Sequence, residues 1–513
     1  MNAAGTSAGV SPTPPGADGP DDPDVFGGSR EYFEELLSWL DGPDAGESTH
    51  GELEDLLDRR GRELLRRMLQ GHFDLRALRE ERVDVVDAGG ARHGTVETGH
   101  RRPLTTVVGT VSVERLAYRH RGAVNLHPAD AALNLPTERY SHGVRRLAAV
   151  EATRGSFEDA AQAIERATGI GVGKRQVEEL TARAAIDVED FYASRPAETG
   201  PSDDVLVVSA DGKGIVMRPG SLRPATGKAA AAATPKLESR LSKGEKRYRK
   251  RMAEVGAVYD LKPVARTPGD VLTSNHANAP PPAPKATGKW VTASVVEDAA
   301  EVITRIFDEA ERRDPGHHRR WVALVDGNRH QIDCIETQAH NRELNITIVI
   351  DLIHVMEYLW GAAWCFFAEG NPEAETWVRD RTLAVLNGNA RDVAAGIRRR
   401  ATTLALAKPD RRKADTCATY LTNKATYLDY PTALAAGWPI ATGVIEGTCR
   451  YLVADRMDIT GARWSVNGAE AVLKLRAVRA NDDLDAYWTY HLAQEHQRIH
   501  QTRYLNSTIP RAA

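Results

Sequence analysis

The run VLVVSADGKGIVM at residues 205–217 decides how the chain reads. Asp204 to Ser209 is a short apolar, β-branched stretch, the composition of a buried strand. It leads into Asp211-Gly212-Lys213-Gly214, after which Ile215 to Met217 forms a second short strand. Asp-Gly between two apolar runs is a hairpin signal. Asp211 therefore has two readings, a turn residue or an acid carried out of a buried strand into a site. The pattern recurs twice. WVALV (321–325) ends at Asp326-Gly327, and ITIVI (346–350) ends at Asp351. For Asp326 the structural alternative is a turn before a helix, with the carboxylate near the N-cap.

Working outward, Val255 to Leu261 is a third strand candidate, and Trp290 to Val296 is a strand or a helix lead-in. Glu297 to Glu311 is an amphipathic helix, and His354 to about Trp438 is mainly helical. Glu446 follows in a further helix, ATGVIEGTCRYLVADRM (441–457). This order is that of an RNase H-like fold, a mixed sheet with helices in the α+β or α/β class, interrupted by an all-helical insertion. Such a fold brings acids from separate elements together, as two divalent cations about 3.5–4 Å apart require. Each aspartate alone is more often structural; the conjunction points to chemistry.

Upstream, Arg30 to Leu78 reads as helix, and Thr105 to Tyr118 as strand or hairpin. Ser141 to Ala185 divides into three helices. Ser156 with Asp159 forms a capping box at the second, and TGIGVG separates it from the third, opened by Lys174-Arg175-Gln176. This is a helix-turn-helix pattern, with a plain helical bundle as the alternative. The expected organisation is a disordered Gly/Pro/Asp tail (1–29), a helical and β-hairpin region (30–135) and a helix-turn-helix-like DNA-binding region (136–200). The catalytic core follows in two parts (201–360 and 439–513, the second with C-terminal helices), split by the helical insertion (361–438).

Composition sets bounds. The 513 residues carry 67 Lys+Arg against 71 Asp+Glu, a net charge of −4. A protein held to nucleic acid by bulk basicity is excluded. The four cysteines, Cys334, Cys365, Cys417 and Cys449, show no C-x-x-C spacing and suit reduced thiols in a cytosolic protein. The N-terminus lacks the apolar core of a signal peptide. The most apolar stretch, 346–367, holds Asp351, His354 and Glu357, so it reads as buried structure and not as a membrane span.

The blocks SADGKGIVM, KGEKRYRKRMAEVGAVYD, VALVDG, DLIHVMEYLWGAAWCFF and PIATGVIEGTCRYLVADRMDITGARWSVNGAEAVLKLRA resemble the ISKra-type bacterial insertion-sequence transposases. The segment GTVSVERLAYRH…LHPADAALNLPTERYSHGVRRLAAVEATRGSFEDAA is similar to that family too, and the resemblance runs from about residue 80 to 505. It implies a DDE transposase, a metal-dependent endonuclease and strand transferase acting on the ends of its own element. The implied partners are double-stranded DNA, as terminal inverted repeats and as target, and further copies of the chain on that DNA. The implied cofactor is a pair of Mg²⁺ or Mn²⁺ ions held by Asp211, Asp326 and Glu446. The segment after residue 118 lacks the cysteines of relatives that could hold zinc, so no zinc is expected. A catalytically inactive, transposase-derived DNA-binding protein is the alternative.

The resemblance leaves the second acid open between Asp326 and Asp351. Asp351-Leu352-Ile353-His354 matches the Cys/Asp-x-x-His accessory signature of Mutator-like transposases, which assigns Asp326 to the metals and makes Asp351 and His354 accessory. His354 is read as a phosphate contact or as a hydrogen-bonded core histidine. The DNA-contact candidates are Lys174, Arg175 and Gln176, then the basic cluster Lys246, Arg247, Arg249, Lys250 and Arg251, then Arg450, Arg456, Arg463 and Trp464. Trp464 is either a base-stacking group or a core anchor, whereas Trp360 and Trp364 read as core.

Overall fold

The computed structural model describes residues 24–197, 203–232, 249–272, 283–459 and 461–511. Lys246, Arg247 and most of the expected N-terminal tail lie outside them. The chain divides into two compact units. The first holds Met1–Val144, Arg166–Ile170 and Glu495–Ala513, and the second Arg145–Glu165 and Gly171–Gln494. The last nineteen residues thus group with the N-terminal unit, whereas the sequence assigns them to the end of the catalytic core. The helix-turn-helix-like segment falls largely within the second unit instead of standing alone.

The first unit is built on the helices Gly27–Leu40 and His50–Leu78 and a hairpin, β1 (Thr95–Thr106) with β2 (Gly109–Arg119). The helix at 27–40 begins inside the expected tail. The longer helix opens with a Thr49/Glu52 capping box. Its Gln70 side chain bonds Ser112 on β2 through both N–H and C=O, at 2.8 and 2.9 Å. Phe73, Leu104, Val111, Val113 and Leu135 form the core beneath.

His500 is buried in this unit, and its Nε2 meets the Leu135 carbonyl at 2.9 Å. Burial pushes the imidazole down to about 4, against the pull of that carbonyl. The unfolded chain therefore binds more protons between about pH 6.5 and pH 4, and the stability of this unit falls as pH drops through that window. We expect His500→Gln to flatten the fall. Hydrogen exchange around residues 131–135 as a function of pH measures it.

The second unit centres on a mixed sheet of order β5-β4-β3-β6-β7: β3 (Val205–Val216), β4 (Lys250–Leu261), β5 (Ala286–Ser294), β6 (Trp321–Val325) and β7 (Ile346–Ile350). β3, β4 and β5 are antiparallel, and β6 and β7 run parallel to β3. The apolar runs of the sequence supply a fully buried centre: Leu206, Val207, Val208, Trp321 and Val322 have no measurable exposure. One expectation is corrected. Asp211-Gly212 is not a turn, because β3 is continuous and pairs with β4 from Val205↔Leu261 to Val216↔Lys250. A twelve-residue partner strand overrides the local Asp-Gly preference.

Helix Ala299–Arg313 packs on the sheet where Gly256 leaves room; a Cβ there would meet Ile306 Cγ2 at 2.4 Å. The stretch after Leu352–Ala363 is helical, as Pro372–Leu386, Ala390–Thr403 and Lys408–Asn423, and it shares its core with Leu352–Ala363. After β3 the chain forms a 3₁₀ turn (Pro219–Ser221) and a helix (Pro224–Ala232). The helices His142–Ala152, Phe157–Thr168 and Lys174–Ala184 form as expected, with the Ser156/Asp159 box in place. The third packs on Val466–Ala480 through a cluster including Ala184, Ala471 and Leu475.

Among the described residues no helix is long and apolar enough to cross a membrane. Trp360 and Trp364 stack at 5.2 Å, but Trp364 is 42% exposed, so it is not a core residue.

Candidate active site

Strand register gathers the three aspartates. Val208 pairs with Ala323, and Val325 with Ile350. Asp211 and Asp326 each lie three residues beyond the first pair, and Asp326 and Asp351 each lie one beyond the second. The three form one row across the sheet: Asp211 lies within β3, just past the end of its pairing with β6, and Asp326 and Asp351 lie just beyond the carboxyl ends of β6 and β7. Asp211 and Asp326 feel each other's charge. Burial holds the Asp211 carboxyl above the usual Asp range, and Asp326 pushes it the same way. The Gly212 N–H at 2.6 Å and the Cys449 thiol at 3.4 Å oppose this.

Asp326 sits in a tight corner. Its Oδ1 accepts from Asn328 N at 2.7 Å, and its carbonyl accepts from the Tyr420 hydroxyl at 3.0 Å. Gly327 makes that corner possible, with φ +93 and room for no Cβ, which would lie 2.8 Å from Tyr420 Oη. Gly327→Ala is expected to cost about 1–2 kcal/mol in backbone strain alone. It also displaces Tyr420, and a lowered midpoint in urea unfolding checks the result.

Asp351 is different in kind. It is fully buried, and every acceptor position is taken. Oδ1 accepts from Ile353 N at 3.0 Å and Thr442 N at 3.2 Å; Oδ2 accepts from Thr442 Oγ1 at 2.7 Å and faces His354 Nδ1 at 3.1 Å. Burial alone would raise this carboxyl, but the bonds from His354, Thr442 and Ile353 outweigh it and hold it below the usual range. In return the Asp351 bond lifts His354 to about 9, so the ring is an imidazolium at neutral pH. Asp351, His354 and Glu446 place ligand-type atoms within 4.8 Å of one another. In the metal-free chain the Asp351 acceptor positions are occupied and His354 carries its proton, so a cation held by these three groups would have to displace that proton.

Glu446 is exposed on the short helix Gly443–Thr448. Among the described residues the hydrogen-bond neighbour of its side chain is Thr442 Oγ1 at 3.3 Å, and the single proton there goes to the nearer Asp351. Three residues on, Cys449 reaches back to Asp211 and ties this helix to β3. Burial raises the Cys449 thiol, and the Asp211 charge adds to it, so it stays a thiol that can donate. From Cys449 to Ala454 the chain widens into a π-helix, a feature frequent at functional sites. Arg476 braces it by donating to the carbonyls of Leu452 (2.7 Å) and Tyr451. Glu254 on β4 is half-buried within electrostatic range of Asp211. Burial raises its carboxyl, and Asp211 adds to the effect.

By donor chemistry Asp211, Asp326 and Glu446 suit a divalent cation, but among the described residues the group whose ligand-type atoms come within 4.8 Å of one another is Asp351, His354 and Glu446. Asp211, Asp326 and Glu446 offer hard oxygens, and the mutual repulsion of Asp211 and Asp326 is the kind of charge that a dication offsets. Sequence reasoning missed Cys449, Thr442, Tyr420 and Glu254. Only Cys449 left a trace, lying one turn beyond Glu446.

The DNA-contact candidates separate. Lys174 and Arg175 are exposed, with Lys174 Nζ 4.0 Å from Glu158 and Arg175 Nε 3.1 Å from Glu179; Gln176 is half-buried. Arg249, Lys250 and Arg251 are half-buried at the start of β4. Lys250 pairs with Val216, five residues along the ladder from Asp211, or about 17 Å. Arg251 donates to the Val295 carbonyl at 2.6 Å, and Lys250 lies 3.9 Å from Asp458. Arg450 is exposed, 3.9 Å from Asp455, and Arg463 is exposed.

Two candidates are corrected. Trp464 is 5% exposed, and its Nε1 donates to the Met457 carbonyl at 3.0 Å, so it is a core anchor and not a base-stacking group. Arg456 is 2% exposed, with its guanidinium 4.6 Å from the Trp464 ring centre and 5.6 Å from that of Phe157. It cannot meet a duplex on the surface. Both failed as surface contacts because DRMDITGARW folds back beside β3, where Trp464 N bonds the Val216 carbonyl and Arg218 N bonds the Trp464 carbonyl.

No protein-family model matches the chain, and no curated protein matches it.

Proposed function

We propose that the chain is an insertion-sequence transposase of the DDE type, resembling the ISKra group and built on an RNase H-like core. The observation that carries this reading is the row of Asp211 and Asp326 on the adjacent interior strands β3 and β6, with the Glu446 helix tied to Asp211 through Cys449. The strand order supports it: three antiparallel strands followed by two parallel ones, with the first strand central.

In this reading Asp211, Asp326 and Glu446 hold Mg²⁺ or Mn²⁺. The ions, when bound, supply electrophilic activation of a phosphodiester. Asp351 holds His354 charged and oriented, and leaves the second ring N–H free to donate to a non-bridging phosphate oxygen. Thr442 and Cys449 fix the Glu446 helix against Asp351 and Asp211. Two element ends must be joined, so the working form is a homo-oligomer on double-stranded DNA.

The test combines purified protein, Mg²⁺ and a labelled duplex carrying the ends that flank its own gene. Site-specific nicking followed by strand joining is expected. Binding without cleavage means the inactive DNA-binding protein, and unspecific cutting means a nuclease with no role in transposition.

A further inference from the structure

A cavity of about 290 Å³ lies within the second unit between the start of the Lys174–Ala184 helix and the loop before Ser465. Three exposed cations on three separate elements line it: Lys174, Arg218 at the end of β3, and Arg463. Arg218 has no part in the sequence reading. Arg456 forms part of the wall. Its Nε donates to the Ala152 carbonyl at 2.8 Å, but its Nη2 is buried and has no hydrogen-bond partner. Among the described residues no carboxylate pairs with it. A buried guanidinium left half-satisfied between two aromatic rings is costly, and an anion in the cavity would offset that cost.

The helix start points the same way. Gly173 is its N-cap, and no side chain caps it, so its first N–H groups and the positive end of its dipole remain available. The opposing charges are few. Glu178 accepts from Ser465 Oγ at 2.9 Å and lies 3.8 Å from Arg218; Glu158 lies 4.0 Å from Lys174, and Asp159 is within electrostatic range of Arg456. The four cations exceed these three acids.

We propose that this cavity is a phosphate subsite, taking one tetrahedral phosphoryl oxyanion between Lys174, Arg218 and Arg463 at the helix start, with Arg456 behind it. The group comes from a DNA backbone or from free phosphate. Naming DNA as the source rests on the proposed function; the phosphate chemistry does not.

The experiment uses the full chain with a chelator present, so that cleavage plays no part in the readout. Binding of a short labelled duplex is followed by anisotropy over a range of salt, and inorganic phosphate is titrated calorimetrically in parallel. The variants are Arg218→Gln, Arg463→Gln and their double; both residues are exposed, and an unchanged circular dichroism melt verifies folding. The double variant is expected to weaken duplex binding roughly tenfold, and to lower the salt slope by about 1–2. Inorganic phosphate should compete in the wild type only. Loss of phosphate binding with unchanged duplex binding supports the subsite with free phosphate as its source. If neither duplex nor phosphate binding responds to the double variant, the proposal is overturned. A wild type that binds DNA through this cavity but never cleaves it removes the proposed function and leaves the subsite standing.

Discussion

Asp211→Asn is expected to abolish DNA cleavage, by about 10³-fold or more, the scale on which a single electrostatic contributor at a reacting centre acts. The protein should remain at least as stable as the wild type. The sign follows from the environment. Burial, reinforced by Asp326, raises the Asp211 carboxyl, so the folded state disfavours its charge at neutral pH. A neutral isostere removes that penalty. The Gly212 N–H still has an oxygen to meet, and Cys449 keeps a neighbour. Asp326→Asn should share the loss of cleavage, and its carbonyl bond to Tyr420 is untouched by the change. Cleavage of a labelled element end alongside a urea unfolding curve measures both quantities. A variant at 211 or 326 that cuts normally would remove that residue from the metal-binding set.

Asp351→Asn is expected to do the reverse in kind, lowering stability by about 3 kcal/mol, the cost of breaking a buried hydrogen-bonded charge. The fold holds this carboxyl below its usual range, so its charge is a gain at neutral pH that an amide forfeits. Geometry adds to the loss. Oδ2 meets two hydrogens, from Thr442 Oγ1 and His354 Nδ1, and an amide nitrogen placed there would face both donors. His354 then loses the bond that holds it near 9, and its titration moves down toward the ordinary imidazole range. Imidazole resonances in a pH titration report that shift, and the urea midpoint reports the stability. Activity should fall partially in this variant, through a displaced His354 and a loosened Glu446 helix. Retained stability with no cleavage would make Asp351 a ligand and not a hub.

Much of the core was legible because its strands are buried on both faces. VLVV, WVALV and ITIVI have no polar face to confuse them, and each became a strand followed by, or containing, an acid. The Ser156/Asp159 capping box is local chemistry and formed as read. What failed to show depends on partners distant in sequence. Asp211-Gly212 is straight only because β4 continues beside it. Arg456 looks like a surface group in a polar run, and is buried beside Trp464 once the loop bonds to the end of β3. Tyr420 lies in the helix Lys408–Asn423, yet its hydroxyl meets the Asp326 carbonyl ninety-four residues upstream. The π-helix after Glu446 has no sequence signature, since it depends on Arg476 reaching its carbonyls. The choice between Asp326 and Asp351 could not come from spacing. What distinguishes the two carboxylates in the structure is the number of hydrogens already directed at each.

The central claim is that Asp211, Asp326 and Glu446, and not Asp351, hold the divalent cation. Crystals soaked in Mn²⁺ test it most directly through anomalous scattering. The expected result is Mn²⁺ density bounded by the carboxylates of Asp211 and Asp326 with Glu446 at its edge, lost in Asp211→Asn. Density centred on Asp351 and His354, or none near the row of aspartates at saturating Mn²⁺, would contradict the account.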